Sequence, residues 1–303
     1  ALAPLAAAHG FLGKIVIDGK TYAGNEPGTG KGTPSAIQRV DTIDPLKGVD
    51  NVNLPCGSHA QPAALHADAA PGSNLSVFWT DAGGQNWPHR VGPVMTYMAA
   101  CTGAADCASF NASNAQWFKI DQLGLQDAQS GLWWHNEFMQ GRSLSMSIPE
   151  NIAPGNYLLR SEIIALHLMP EPNGVEFYPA CAQLSIAAPN TTTSSTTFAS
   201  LTPNATVSFP GAYAANDAGI FAPGVFDTPV TYTFPGGTVS NVRSASDSAG
   251  TRDLDAKTTK AASGTQVPAS LTASGVQAPA NTTASTGASA NGTATSAGAQ
   301  PST

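Results

Sequence analysis

His9 lies near the start of the chain, where it can chelate a metal ion if it becomes the first residue. It follows an apolar stretch, ALAPLAAA, whose small residues at positions 6–8 are typical of a secretory cleavage site. Residues 1–8 are therefore predicted to be the end of a signal peptide. Cleavage would give His9 a free amine, which chelates a metal together with its imidazole Nδ1. A further imidazole would complete a three-nitrogen set that suits Cu(II).

Two later segments supply the other candidate donors. One is WPHRVGPV at residues 87–94, and the other runs from LRSEIIALH at 159–167 to EFYPAC at 176–181. Together they carry four side chains that could bind a metal or move protons, His89, His167, Glu176 and Tyr178, and a charged neighbour, Arg90. Three other histidines match no motif and are expected at the surface: His59, His66 and His135.

The four cysteines are not spaced like a zinc site. An even number in a secreted chain predicts two disulfides, for which three connectivities exist. The short loop between Cys101 and Cys107 makes that bridge the easiest one to form. It would leave Cys56 to pair with Cys181.

Short β-rich runs separated by turn signals predict the elements that must position these residues. The runs are Leu12–Ile17, Asn74–Thr80, Val94–Met98, Trp117–Ile120, Leu144–Ile148, Asn156–Ala165 and Ala182–Ala187. This rhythm favours an all-β fold, an antiparallel β-sandwich with long loops.

The composition divides the chain into a folded part and a tail. Residues 9–187 form the predicted core, and the polar, Thr-rich stretch at 188–200 is a linker. Aromatic residues return before position 238, so the segment that ends there is expected to pack along the sandwich, giving one domain over 9–238. Residues 239–303 are rich in Ala, Ser, Thr, Gly and Pro, which predicts a disordered, O-glycosylated tail.

The charge and hydropathy patterns exclude several classes of partner. The 303 residues are 11% charged with a net charge of −7, and they contain no basic run. That argues against nucleic acid and against an anionic membrane surface. No apolar stretch approaches the roughly 20 residues needed to span a bilayer. Sequons for N-glycosylation at Asn74, Asn111, Asn190 and Asn204 agree with a secreted, extracellular protein. The absence of an interface motif favours a monomer.

His9 and the two later segments together resemble the auxiliary activity family 9 lytic polysaccharide monooxygenases, formerly glycoside hydrolase family 61. The resemblance covers residues 9–187 and continues less firmly to about 238. It implies an immunoglobulin- or fibronectin-like sandwich with a flat face that carries one copper ion. It also implies oxidative cleavage of cellulose, another β-glucan or hemicellulose at C1 or C4. The co-reactants would be an external electron donor and O₂ or H₂O₂.

The resemblance assigns roles to individual positions. His9 matches the N-terminal copper ligand, Tyr178 the axial tyrosine, and His167 the histidine that hydrogen-bonds the oxygen species. The family's bridges correspond to Cys56–Cys181 and Cys101–Cys107. Tyr22 and Tyr213 are the aromatic residues that it suggests for substrate contact, although packing is an equal alternative for both.

Two positions depart from the family pattern. Arg90 occupies the place of the second copper histidine, two residues before the Gly-Pro pair, and arginine has no lone pair for a metal. Since neighbours in extended chain point to opposite sides, His89 could enter only through a bulge, so Arg90 is predicted to face the site. Glu176 replaces the usual glutamine. We expect the two charged groups to form an ion pair across the site, with Glu176 and Arg90 counted among the catalytic residues.

These observations favour a copper-dependent monooxygenase whose activity is weakened by Arg90. The alternative is a non-catalytic polysaccharide- or cell-wall-binding protein, or a copper-handling protein, derived from the same family. Hydrolysis of glycosidic bonds ranks last, because it needs a defined carboxylate pair and the sequence singles out none.

Overall fold

The structure is a computed structural model that describes residues 9–29, 32–169, 171, 173–188 and 201–243. The predicted leader at 1–8, the sequon at Asn190 and nearly all of the predicted linker lie outside the described residues. The predicted tail beyond position 243 does so as well.

Most of the regular secondary structure in the described residues is β-strand. The strands are β1 Gly10–Ile17, β2 Lys20–Ala23, β3 Ala67–Ala69, β4 Asn74–Asp81, β5 Val94–Ala100, β6 Phe118–Leu123, β7 Leu125–Asp127, β8 Leu132–Trp133, β9 Leu144–Ser147, β10 Gly155–Ala165 and β11 Glu176–Ile186. Helical segments are short: α1 His135–Met139 and 3₁₀ turns at Ala82–Gly84, Ala112–Asn114 and Pro223–Phe226. No helix in the described ranges has the length and apolar character needed to cross a membrane.

The strands form two main sheets, which confirms the predicted all-β sandwich. The first has the order β2-β1-β4-β9 and the second β3-β11-β10-β5-β6, while β7 and β8 form a separate hairpin. Pairing is antiparallel except between β3 and β11. Each of the seven predicted runs overlaps a strand, and the four that the sequence did not predict (β2, β3, β7 and β8) have four residues or fewer.

Strand β10 is buried on both faces, because side chains alternate between two cores. Leu159 and Ile163 pack in an inter-sheet core with residues of both sheets. Leu158 and Ile164 point the other way, into an outer core under the loop around residues 46–60 and the segment 201–243.

A fully buried ion pair lies on the outer face of β10. Arg160 donates two hydrogen bonds of 2.8 Å to the carboxylate of Glu162, and both side chains are inaccessible to water. Arg160 also donates to the carbonyl of Leu54 and stacks over the ring of Phe209, 3.7 Å from its centroid. Tyr213 donates its hydroxyl proton to Glu162. The pair thereby joins the loop and the C-terminal segment to the sheet.

The disulfides are the ones that the family resemblance implies. Cys56–Cys181 connects the loop to β11 across a sequence separation of 125 residues. Cys101–Cys107 closes a short loop after β5. No free cysteine remains.

The packed C-terminal segment extends further than predicted. Lys119 on β6 donates to the carbonyls of Pro235 and Gly237 at 2.8 and 2.6 Å. Val242 is completely buried, so packing continues past the boundary predicted at residue 238. The sequons within the described residues, Asn74, Asn111 and Asn204, are all exposed.

We expect Glu162→Gln to destabilise the protein by about 3–5 kcal/mol, because it leaves the Arg160 charge buried without its counter-ion. Urea unfolding would measure this change. The exposed Glu150→Gln is the matched control and should stay within about 0.5 kcal/mol of the parent. A loss below about 1 kcal/mol for Glu162→Gln would contradict the role given to the pair.

Candidate metal centre

The candidate donors meet at one end of the sandwich because strand ends meet there. In the β10–β11 pair, Ala165 is opposite Glu176, so the residues after β10 lie beside the start of β11. His167 follows β10, while Glu176 and Tyr178 open β11. His9 immediately precedes β1.

The connection between β4 and β5 brings a further histidine to the same end. Its backbone lies against the end of β10, where Leu166 N–H donates to the carbonyl of Val91 at 2.9 Å. Gly92 is required between them: its φ is +135°, and a Cβ there would overlap the carbonyl oxygen of Ile164. This close backbone contact fixes the position of His89, three residues earlier.

Trp87 forms the floor of the site. Its buried ring meets Tyr178 and His89 edge-on, with centroid distances of 4.9 and 5.3 Å. Gly10 leaves room for the Trp87 ring on the β1 side of the site. A Cβ at this position would lie 3.0 Å from the ring and would overlap the carbonyl oxygen of Thr80.

His89, rather than Arg90, points into the site, and the prediction that Arg90 faces it is wrong. The imidazole of His89 is 8% exposed, with Nε2 3.3 Å from the hydroxyl of Tyr178. Its ring stacks on that of His167 at a centroid distance of 4.1 Å. Arg90 is exposed. Neighbouring side chains do point to opposite sides, and here it is His89 that points inward and Arg90 that points to solvent. In this arrangement the exposed guanidinium of Arg90 stays hydrated, and the imidazole of His89 packs against the aromatic rings. Burying an imidazole costs less than burying a guanidinium.

The predicted ion pair between Arg90 and Glu176 is also wrong. The described residues contain no such pair, and the cation bound to Glu176 is Lys47, whose Nζ lies 3.2 Å from Oε1. The carboxylate is buried and Arg90 is exposed, so the two residues lie in different environments.

Glu176 joins the donors through its second oxygen. Oε2 accepts a 2.8 Å hydrogen bond from Tyr178. It also lies 3.5 Å from Nε2 of His89 and 3.8 Å from Nε2 of His167. One ligand atom from each of His89, His167 and Glu176 falls within 4.8 Å of the others. Imidazole nitrogen is a ligand that suits copper, so the histidines at this end of the sandwich fit such an ion.

His9 lies beside this cluster of three donors. Its ring is 6.4 Å from that of Tyr178, measured between centroids. Its Nδ1 is 3.0 Å from Oδ1 of Asp44, whose other oxygen accepts from Thr42 at 2.7 Å. The ring nitrogen of His9 that was predicted to bind the metal is therefore within hydrogen-bonding distance of Asp44 in this structure.

Burial controls the protonation of the site. It raises the pKa of Tyr178, and the negative charge and hydrogen bond of Glu176 raise that pKa further, so the phenol keeps its proton. Burial lowers the pKa of His167, and Glu176 opposes this effect. Nδ1 of His167 is buried without a hydrogen-bond partner.

The two tyrosines suggested for substrate contact are buried, which corrects that expectation in favour of packing. Tyr22 accepts a hydrogen bond from the backbone N–H of Asp68, and Tyr213 donates to Glu162.

Phe221 is 59% exposed. It lines an open cleft of about 600 Å³ together with Gly174 and other residues near the start of β11.

Sequence reasoning missed three residues around the site: Lys47, Asp44 and His135. The first two lie in a loop without a motif, and no local pattern shows that this loop pairs with β11. His135 was expected at the surface, but it is fully buried behind the site, with Nε2 3.3 Å from the carbonyl of Pro93. It opens the short helix α1, whose pattern is too brief to indicate which side is buried.

The sandwich and its donor cluster define a β-sandwich metalloprotein. The profile of Auxiliary Activity family 9 (formerly GH61) matches residues 9–232, so its match begins at His9. The chain belongs to this family of lytic polysaccharide monooxygenases, copper enzymes that cleave polysaccharides oxidatively.

Relatives and solved structures agree with this assignment. AA9 family lytic polysaccharide monooxygenase D of Gloeophyllum trabeum is 47% identical over 259 residues, or 86% of this chain and 71% of that protein. Monooxygenase B of Heterobasidion irregulare is 35% identical over 77% of this chain and 92% of its own length. The extended catalytic domain of H. jecorina LPMO9A is similar with a TM-score of 0.66 and 29% identity, covering 76% of this chain and 90% of that one. A cellulose-active polysaccharide monooxygenase from M. thermophila gives 0.63 and 30%, covering 76% and 98%.

We expect His135 to make the protein less stable in acid. Burial lowers its pKa to about 3 from the ordinary 6.5. Below pH 6.5 the unfolded chain therefore binds a proton that the folded chain does not, and the free energy of unfolding falls. Between pH 8 and pH 5 this group should account for a loss of about 2 kcal/mol.

Urea unfolding of His135→Gln at both pH values tests this expectation. The acid-side loss should shrink by about that amount, even though the variant is less stable at pH 8. The exposed His59→Gln should leave the loss unchanged. An undiminished acid-side loss in His135→Gln would show that other groups are responsible.

Proposed function

We propose that this chain is a competent copper monooxygenase, in which His89 takes the place of the second copper histidine. The imidazoles of His9 and His89 would hold the ion once His9 is N-terminal and its Nδ1 exchanges Asp44 for the metal, with the hydroxyl of Tyr178 beside them. When bound, copper supplies the redox centre at which O₂ or H₂O₂ is used with electrons from an external donor.

The orientation of His89 is the observation that carries this proposal. Its Nε2 points at the hydroxyl of Tyr178 from a buried position, and Arg90 is exposed to solvent. A neutral imidazole offers a lone pair that a guanidinium lacks. Arg90 therefore gives no reason to expect weakened copper binding.

His167 and Glu176 serve as the proton-handling pair. Nε2 of His167 and Oε2 of Glu176 are 3.8 Å apart and face the same side as Tyr178. Because burial lowers the pKa of His167, its imidazole is neutral near pH 7 and can accept a proton at Nε2. Tyr178 keeps its own proton through its hydrogen bond to Glu176, so it is neither a base nor an anionic ligand there.

Cellulose or a related β-glucan is the proposed substrate, cleaved at C1 or C4, with hemicellulose as the related alternative. Support comes from the family and from the cellulose-active relative of M. thermophila. The protein would act as a secreted, extracellular monomer after removal of the leader at residues 1–8. The exposed sequons at Asn74, Asn111 and Asn204 agree with secretion.

Copper binding by two matched variants tests the assignment. On protein whose first residue is confirmed as His9 by mass spectrometry, calorimetry should give one ion per chain. Electron paramagnetic resonance should show nitrogens from more than one histidine. His89→Ala should weaken Cu(II) binding on the order of 100-fold, because it removes a ligand, whereas Arg90→Ala should change it by less than about threefold.

A larger loss of Cu(II) affinity in Arg90→Ala than in His89→Ala would contradict the proposal. If the parent binds copper yet releases no oxidised oligosaccharides from cellulose, another β-glucan or hemicellulose, the protein is instead a copper-handling or polysaccharide-binding member of the family.

The cleft beside β11 supports a substrate-contact role for Phe221. We expect Phe221→Ala to weaken binding to cellulose about tenfold, because burying part of an exposed ring against a sugar contributes about 1.4 kcal/mol. Phe226→Ala is the matched control, since that ring is 53% exposed and does not line the cleft. Equal losses in both variants, measured by depletion onto cellulose, would contradict a specific role.

A further inference from the structure

We propose that Lys47 is a positioning residue of the copper site: it fixes the carboxylate of Glu176 so that only Oε2 faces the donors. This inference rests on the proposed function and adds a residue to it. Lys47 lies in a loop far from every motif, and it provides the cation that a buried glutamate needs at this position.

Backbone pairing brings Lys47 to Glu176. The amide of Leu46 donates to the carbonyl of Phe177 at 2.9 Å, and the amide of Phe177 donates back at 3.0 Å. In an antiparallel pair of this kind, the residue after Leu46 lies opposite the residue before Phe177. Lys47 and Glu176 are therefore cross-strand neighbours, and their contact follows from the path of the backbone.

The ammonium group makes two contacts at the rim of the site. Nζ of Lys47 lies 3.2 Å from Oε1 of Glu176 and 3.2 Å from the carbonyl oxygen of Gly174. Asn51 donates to the backbone carbonyl of Lys47 at 3.2 Å, which anchors the loop. The side chain of Lys47 is 39% exposed and that of Glu176 is 5% exposed, so the cation partly retains its water while the anion does not.

The two carboxylate oxygens thus have different partners. Oε1 is bound by Lys47, and Oε2 accepts from Tyr178 at 2.8 Å and faces the two imidazoles. Without the ammonium group, Oε1 would lose its charged partner in a buried position. The carboxylate could then rotate or present both oxygens to the metal donors. Lys47 therefore sets which atom of Glu176 takes part in the site.

A double-mutant cycle between Lys47→Met and Glu176→Gln tests the proposal, with Lys47→Arg as the rescue variant. The first measurement is thermal unfolding of the copper-free protein. Lys47→Met should lower Tm by about 2–6 °C in the parent and by less than about 1 °C in the Glu176→Gln background. This cycle is independent of copper, so it can fail or succeed separately from the proposed function.

The second measurement is the Cu(II) resonance spectrum together with the rate of release of oxidised oligosaccharides. Both are recorded at about 0.5 M salt, where the long-range field of an exposed charge is screened. Lys47→Met should alter the spectrum and lower the rate about tenfold, and Lys47→Arg should restore both. In the Glu176→Gln background, Lys47→Met should have less than a twofold further effect. Lys20→Met is the matched control, because it breaks an exposed 2.8 Å pair with Asp68 away from the site.

Two results would overturn the proposal. Equal effects of Lys47→Met in both backgrounds would mean that Lys47 acts independently of Glu176. An unchanged spectrum and rate in Lys47→Met would mean that the carboxylate keeps its orientation without the cation. If the cycle in the copper-free protein shows coupling but the parent binds no copper, the contact stands and the proposed function fails.

Discussion

The buried pair of Arg160 and Glu162 is the constraint on which the rest of the structure depends. Two full charges on the outer face of a central strand are costly unless they are paired and fully hydrogen-bonded. The loop near Leu54 supplies carbonyl acceptors for the guanidinium, and Tyr213 supplies a donor for the carboxylate. Sheet, loop and C-terminal segment must therefore assemble together, because each satisfies groups that the others bury.

The same loop determines the chemistry at the end of the sheet. It is tied to β11 by the Cys56–Cys181 disulfide and by the pairing of Leu46 with Phe177. Once the loop lies against the strand in this register, Lys47 reaches Glu176 without any further adjustment. The outer core and the metal centre are thus coupled through a few backbone contacts, although their side chains lie on different parts of the sheet.

Much of this arrangement could be predicted from the sequence, and the failures share one physical cause. The longer strands follow from β-rich runs and turn signals, and His167 and Tyr178 were identified as candidates by the resemblance to the family. Lys47 and His135 could not be found, because their roles depend on which segments pair across the fold. The burial of Tyr22 and Tyr213 could not be predicted either, because it depends on which segments of the chain cover them. The orientation of His89 depended on loop register, and a single residue reverses the direction of a side chain.

The charges of Arg90 and Glu176, the two residues that depart from the family pattern, are therefore accommodated separately. Charge balance suggested that Arg90 and Glu176 would neutralise each other, since one positive and one negative charge had been gained. Instead, His89 points inward and Arg90 is exposed to water, where its charge needs no partner. The glutamate is compensated from a different direction by Lys47. Charge balance paired Glu176 with the wrong cation, because the backbone pairing of β11 with the loop determines which cation meets it.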